Sequence, residues 1–330
     1  MRHLRGRADS SHALMNVVLL ILPSLILITT GAILKRRFAF SDEFWKGVEK
    51  LVFYVLFPPM LFMSVAQAPF TIGGDLAYLV VSLTAMMLAV VLSAANRRLF
   101  PTVPGITHAS VFQCGFRFNS YIAFALCWPL LGEEGFALLA LLIAVWVPVS
   151  NFLAIAVLAR ELGGRGAGVG TIVSSVAKNP LIIATVLGLV WNATGLAFPG
   201  TLATVFKQFG QGAIVMGLLA IGAHLRFSGL SGAMLRFLAA ASIERVAVVP
   251  LIAFAVLLLA GALGLPVSNT AAQTLILFAA LPTAQSCYPM TAAMGGDGDS
   301  VAGVTTIQTV LSMATIPVVL LAAGMLFPVA

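Results

Sequence analysis

The sequence predicts an all-α integral membrane protein of about ten transmembrane helices, built as two inverted five-helix repeats. Three observations carry this. The composition is that of a chain dissolved in lipid, apolar runs of membrane-spanning length recur to the end, and helix-breaking residues recur in both halves in the same order. Hydrophobic residues make up 60% of the 330 and charged residues 9%, with a mean hydropathy of +1.06. A soluble domain carries roughly 25% charged residues, so its surface could not be assembled from this pool.

The apolar runs fall at approximately 16–34, 48–67, 76–95, 107–130, 135–159, 170–191, 200–223, 236–261, 270–293 and 300–327. Each is close to the ~20 residues that cross a bilayer core. Connections are short, with no soluble domain or linker between them. The three cysteines, Cys114, Cys127 and Cys287, lie inside apolar runs without paired spacing. They predict core packing rather than disulfides or a metal site. His108 and His224 likewise have no ligand-like spacing around them. No cofactor or metal is expected.

The net charge of +7 does not predict nucleic-acid binding, because the basic residues cluster between alternate apolar runs. Lys35, Arg36 and Arg37, then Arg97 and Arg98, then Arg160, Arg165 and Lys178, then Arg226 and Arg236 fall on one side; Asp75, Glu133 and Glu134 fall on the other. The basic side is expected to be cytoplasmic in a bacterial inner membrane, with both termini outside. Residues 1–14 read as a dispensable extension, with Met15 the expected start ahead of the first span.

The repeat is read from offsets. Pro23 and Gly31 recur as Pro180 and Gly188 at 157 residues, Asn119 and Gly132 as Pro282 and Gly295 at 163, and Pro148 as Pro317 at 169. The halves run from 15–165 and 166–330. Five spans each is an odd number, so the second half is inverted relative to the first.

Two runs are interrupted near their middles. Arg117, Asn119 and Ser120 interrupt the fourth; Pro282, Thr283, Gln285 and Ser286 interrupt the ninth. Proline removes a backbone donor, and Asn and Ser bond freed backbone groups. Matched breaks in two halves point to a midplane substrate site. Arg117 strengthens the point, since a cation at the bilayer centre costs at least ~2.5–3.5 kcal/mol on insertion scales. Asn119, Ser120, Arg117, Pro282, Thr283, Gln285 and Ser286 are the expected substrate-binding residues, with Asn119 and Pro282 as the break points. Half-helix N-termini and these donors suit a carboxylate.

Taken in order and spacing, LPSLILITTGAILKRR, KLVFYVLFPPMLFMSVA with Pro58 and Pro59, FRFNSYIAFAL, VPVSNFLAIAVL with Asn151, KNPLIIATVLG, LLAIGAHL and LPTAQSCYPMTAAMGGD resemble the auxin efflux carrier family. That family includes plant auxin exporters and bacterial permeases of malonate or malate. The resemblance covers nearly the whole chain. It implies a scaffold and a transport domain, with the fourth and ninth helices crossing at their breaks. Plant carriers place an asparagine near the crossing in the ninth helix, where this chain has Thr283, Gln285 and Ser286. A small mono- or dicarboxylate is therefore the expected substrate, rather than indole-acetic acid. Membrane lipid is the other expected partner, and a homodimer is allowed.

Other intramembrane charges have simpler readings. Lys207 is expected to snorkel. Glu244 and Arg245, adjacent in the eighth run, cannot pair simply with each other; either could line the transport path, and a structural role is the expected one. The rival classes are an intramembrane protease and a non-transporting receptor. Gly296 to Asp299 spell GxGD, but such chemistry needs two carboxylates sharing a site and no second one is present, so Asp297 and Asp299 read as a solvated turn. No enzyme activity is expected.

Overall fold

The computed structural model describes residues 22–23, 26–67, 72–162, 180–223, 232–265, 267–284 and 286–329. The expected extension 1–14, the start of the first span, the loop around Arg165 and the residue Gln285 lie outside these. Among the described residues the chain is helical and contains no strand. That is the solution lipid imposes, because each helix pairs its own backbone groups.

Helix α1 covers residues 26–37, α2 Asp42–Leu51, α3 Phe57–Ala66, α4 Ile72–Leu99, α5 Gly105–Phe112 and α6 Ser120–Glu161. Then follow α7 Pro180–Thr194, α8 Gly200–Ala223, α9 Gly232–Ile243, α10 Val249–Ala262, α11 Asn269–Ala280, α12 Cys287–Met294 and α13 Gly298–Leu326. Among the described residues five helical stretches are long and apolar enough to cross a membrane: Leu76–Leu99, Gly105–Glu161, Gly200–Ala223, Met234–Ala262 and Gly298–Leu326. The second of these is 57 residues long, more than twice the ~20 needed for one crossing. The ninth apolar run gives two short helices, α11 and α12, because it is broken at its centre.

The second run starts earlier than its hydropathy indicates. Ser41 caps α2 by accepting the Phe44 N–H at 3.1 Å, with Asp42 and Glu43 in the first turn and Lys50 in the last. These charges fit both ends of the helix dipole. Lys35 pairs with Asp42 at 2.7 Å, and Trp45 is buried against Ala220 and Ala223 of α8.

Among the described residues two π-bulges interrupt the helices, each just before a proline. Val52–Leu56 precedes Pro58 and Pro59, and Glu244–Val248 precedes Pro250. Proline cannot donate to the carbonyl one turn back, so the N–H ahead of it reaches one residue further. Phe57 bonds Val52 and Val249 bonds Glu244 in this way.

Within α6 the chain bends at Gly132, whose φ of 63° and ψ of −158° are not helical. Gly295, its partner in the repeat offsets, also has positive φ, at 81°. The Gly132 conformation is essentially restricted to glycine. Gly132→Ala should lower stability by ~1–3 kcal/mol through backbone strain alone, since nothing lies near the added methyl group. Thermal unfolding in detergent would show it, and an unchanged midpoint would mean that the bend relaxes freely.

A second pair from the repeat offsets does related work. A methyl group on Gly31 of α1 would collide with the Leu219 backbone of α8, and one on Gly188 of α7 would meet the Phe62 carbonyl oxygen of α3 at 2.8 Å. Small residues let membrane helices approach backbone to backbone. Deepest in the bundle is α11: every residue from Thr274 to Thr283 is buried. Its second half, Leu275 to Ala280, is apolar on all sides and belongs in the middle, so the break that follows it opens at the centre of the protein.

Candidate substrate site at the paired helix breaks

The two breaks meet. In the first, α5 runs into a 3-10 turn at Gln113–Gly115, the backbone leaves helical geometry at Phe116, and α6 begins at Ser120. In the second, the chain runs non-helically from Leu281 to α12. The Asn119 N–H donates to the Pro282 carbonyl at 2.8 Å, joining the two directly. Phe118 and Phe278 pack at 4.3 Å beside that bond.

Asn119 is 1% exposed and caps α6: its Oδ1 accepts the Tyr121 N–H at 3.0 Å and the Ile122 N–H at 3.2 Å. This revises the expectation of free N–H groups at the half-helix start, because two of them are satisfied by the asparagine itself. What remains is its amide nitrogen. Asn119 Nδ2 is buried without a partner, and a buried donor left unpaired carries a desolvation cost that a ligand would relieve.

Arg117 is 9% exposed and links the breaks a second time. Its guanidinium donates to Gln113 Oε1 at 2.7 Å and to Ser286 Oγ at 2.9 Å, and contacts Met290 Sδ at 3.4 Å. All three partners are neutral. Among the described residues the ion pairs within hydrogen-bonding range are Lys35 with Asp42 and Arg97 with Glu161, so the charge of Arg117 stands uncompensated at the breaks.

The other expected residues divide. Ser120 is half-buried at the first position of α6, and Ser286 is exposed and accepts from Arg117. Pro282 is buried and contributes its carbonyl to Asn119. Thr283 is committed inward rather than to a ligand: it is fully buried, its N–H donates to Gln308 Oε1 at 2.8 Å and its hydroxyl lies 3.3 Å from Cys287 Sγ. Gln285 lies outside the described residues. Lys207 is exposed on α8.

Two residues that the sequence reading left out, Gln308 and Trp146, hold this arrangement together with Arg245, which that reading gave a structural role. Gln308 of α13, besides accepting from Thr283, donates to the Cys114 carbonyl at 3.2 Å and to the Ala241 carbonyl at 3.4 Å. One buried amide thus clamps both breaks. Trp146 of α6 donates from Nε1 to the Phe116 carbonyl at 3.0 Å, where the first break begins. Arg245, fully buried, donates to the Ala279 carbonyl at 2.9 Å and the Phe278 carbonyl at 3.1 Å. It places a cation at the C-terminal, electronegative end of α11.

The Gly296 to Asp299 stretch is more than a solvated turn. Asp297 caps α13, accepting the Ser300 N–H at 3.0 Å and its hydroxyl at 2.7 Å, and it accepts the Thr107 hydroxyl of α5 at 2.7 Å. Burial raises its pKa, but these donors outweigh burial and hold it below the usual carboxylate range. Its role is to tie α5 to α13, and Asp299 beside it is exposed.

Residues 169–320 match the family model described as membrane transport protein. That match implies a membrane transporter. It spans α7 to most of α13, including the second break, Arg245 and Gln308, and it speaks for transport rather than enzymatic chemistry. No curated protein matches the chain.

Proposed function

We propose that the chain is a secondary transporter that moves a small organic anion, a mono- or dicarboxylate, across a bacterial cytoplasmic membrane by alternating access. The observation that carries this reading is the pairing of the two breaks, where the Asn119 N–H meets the Pro282 carbonyl beside an unpaired Arg117 charge. Irregular backbone inside a membrane protein is tolerated where it is buried or lines a cavity, and broken helices at the midplane are where inverted-repeat carriers hold substrate. An arginine with neutral partners and an unpaired amide N–H suit a carboxylate, which accepts from both.

Two packing relations support ten spans in inverted halves, 15–165 and 166–330. Exchanging the halves maps the first span onto the sixth and the second onto the seventh. The contact of Gly31 (first) with Leu219 (seventh) then becomes that of Gly188 (sixth) with Phe62 (second), and both are close backbone approaches. Positive φ at both Gly132 and Gly295 follows the same exchange. By the positive-inside rule the basic clusters favour a cytoplasmic location for the ends of α1, α4 and α6, with both termini outside.

Uptake by proteoliposomes of labelled acetate, malonate, malate and indole-3-acetate tests the reading. Saturable uptake of at least one aliphatic acid, competed by unlabelled acid and absent from empty liposomes, is the expected result. Uptake confined to cations or neutral solutes would refute an anion carrier.

A further inference from the structure

We infer that Glu244 is a proton-binding carboxylate that couples carboxylate movement to a proton gradient, so that proton and anion travel together; this rests on the transporter reading above. Among the described residues Glu244 is the one buried carboxylate, 5% exposed at the head of the second π-bulge. An ionisable group within a span is a functional candidate by default, and π-bulges recur at functional sites.

Its two oxygens have different surroundings. Oε2 accepts a hydrogen bond from the Asn96 amide of α4, while Oε1 is buried without a hydrogen-bond partner. A methyl group on Gly115, in the turn that leads into the first break, would collide with Ser93 Oγ and lie 2.8 Å from Glu244 Oε1. The absent side chain therefore leaves room for the Ser93 hydroxyl beside this carboxylate oxygen. A hydroxyl both donates and accepts. Ser93 can donate to an ionised Oε1 or accept from a protonated one, so this neighbour serves both states. The bond that forms and breaks is O–H at Oε1: the carboxylate takes the proton from a hydronium ion on one side of the membrane, leaving water, and returns it to water on the other.

The bulge touches both breaks. Glu244 abuts Gly115 before the first, and Arg245 holds the Phe278 and Ala279 carbonyls before the second. With Glu244 ionised, the two adjacent charges offset each other. Protonation leaves Arg245 as a net cation behind the crossing, in an interior where charges are poorly screened. Anion binding is then favoured, and by linkage the bound anion favours the proton. The other charged or titratable side chains on elements packed against the bulge are Cys114, Asp75, Tyr78, Arg97 and Arg98, Arg236, and Asp299. The arginines among them and Asp299 are exposed, Tyr78 donates its hydroxyl to the Leu138 carbonyl at 3.3 Å, Cys114 is a buried thiol, and Asp75 stands at the opposite end of α4 from Asn96.

Infrared difference spectroscopy of the purified protein in lipid, titrated with acid, tests the site without a substrate. A protonated-carboxyl band should appear in the wild type, vanish in Glu244→Gln and move in frequency in Glu244→Asp; the second variant serves if the first does not fold. In proteoliposomes given acetate, malonate or malate, Glu244→Gln should lose the accumulation that an imposed pH gradient drives in the wild type. An unaltered band in both variants, or undiminished gradient-driven accumulation in Glu244→Gln, would overturn the inference. If the wild type carries none of the acids, the substrate reading fails and the infrared band alone decides whether Glu244 binds the proton.

Discussion

Replacing Asn119 with alanine should weaken carboxylate binding by roughly 1.5–3 kcal/mol, the range for a hydrogen bond to a charged group. That corresponds to about a 10- to 150-fold rise in Kd. The same variant loses the cap on α6, so it should also cost about 1 kcal/mol of stability. Asn119→Ser separates the two effects. A serine hydroxyl caps as well as asparagine does, yet it is too short to replace the amide donor at Nδ2, the atom that is buried without a partner. Stability should return in the serine variant and affinity should not. Calorimetry with the acid taken up best, alongside thermal unfolding, reads both quantities. Wild-type affinity in both variants would remove the crossing as the binding site, whatever their stabilities.

Gln308→Leu should be the most damaging single change away from the breaks themselves. It strands the Thr283 N–H and removes a donor from the Cys114 and Ala241 carbonyls, all at buried positions. An orphaned buried donor costs about 1–3 kcal/mol, and the carbonyls add less because each has a second lone pair, so a loss on the order of 2–4 kcal/mol is expected. Gln308→Glu is the informative companion. It keeps an acceptor for Thr283 but withdraws the donors to the two carbonyls. If the clamp matters as a whole, both variants should unfold earlier than wild type and lose uptake together. Unfolding midpoints equal to wild type in both would mean that the breaks are held by Asn119, Arg117 and Trp146 without it.

Arg117 sets a boundary between these two experiments. Its bonds to Gln113 and Ser286 make it part of the scaffold that joins the breaks, and its charge makes it part of the field an anion meets. Both roles come from one side chain because the partners are neutral, leaving the charge uncancelled while the geometry is fixed.

Much of this was written locally in the chain. Lipid solvent, helical class and the places where helices fail follow from apolar run length and from residues whose backbone chemistry is their own: Pro282 has no N–H, Asn119 can cap, and Gly132 tolerates its φ. The matched offsets of Gly31 with Gly188 and of Gly132 with Gly295 were visible for the same reason, since each glycine answers a backbone requirement at its own position. A polar stripe at Thr305, Gln308, Thr309 and Ser312 also repeats at helical spacing and was a readable sign of an inward face on α13.

Tertiary structure decided which polar groups are spent on the protein and which remain for a ligand. Thr305, Thr309 and Ser312 turn back to carbonyls of their own helix, whereas Gln308 reaches residues 25, 67 and 194 positions away. Thr283 is taken by Gln308 and Cys287, and Asn119 keeps its side-chain NH2 free. Arg245 meets the end of α11 because the second π-bulge turns it there, and Glu244 meets Gly115 because α4 and the first break pack against the same bulge. Hydrogen bonds of this kind depend on where helices distant in sequence come to rest, and hydropathy carries no information about that. Local residue chemistry fixes where a membrane helix breaks; only packing fixes what the broken ends face.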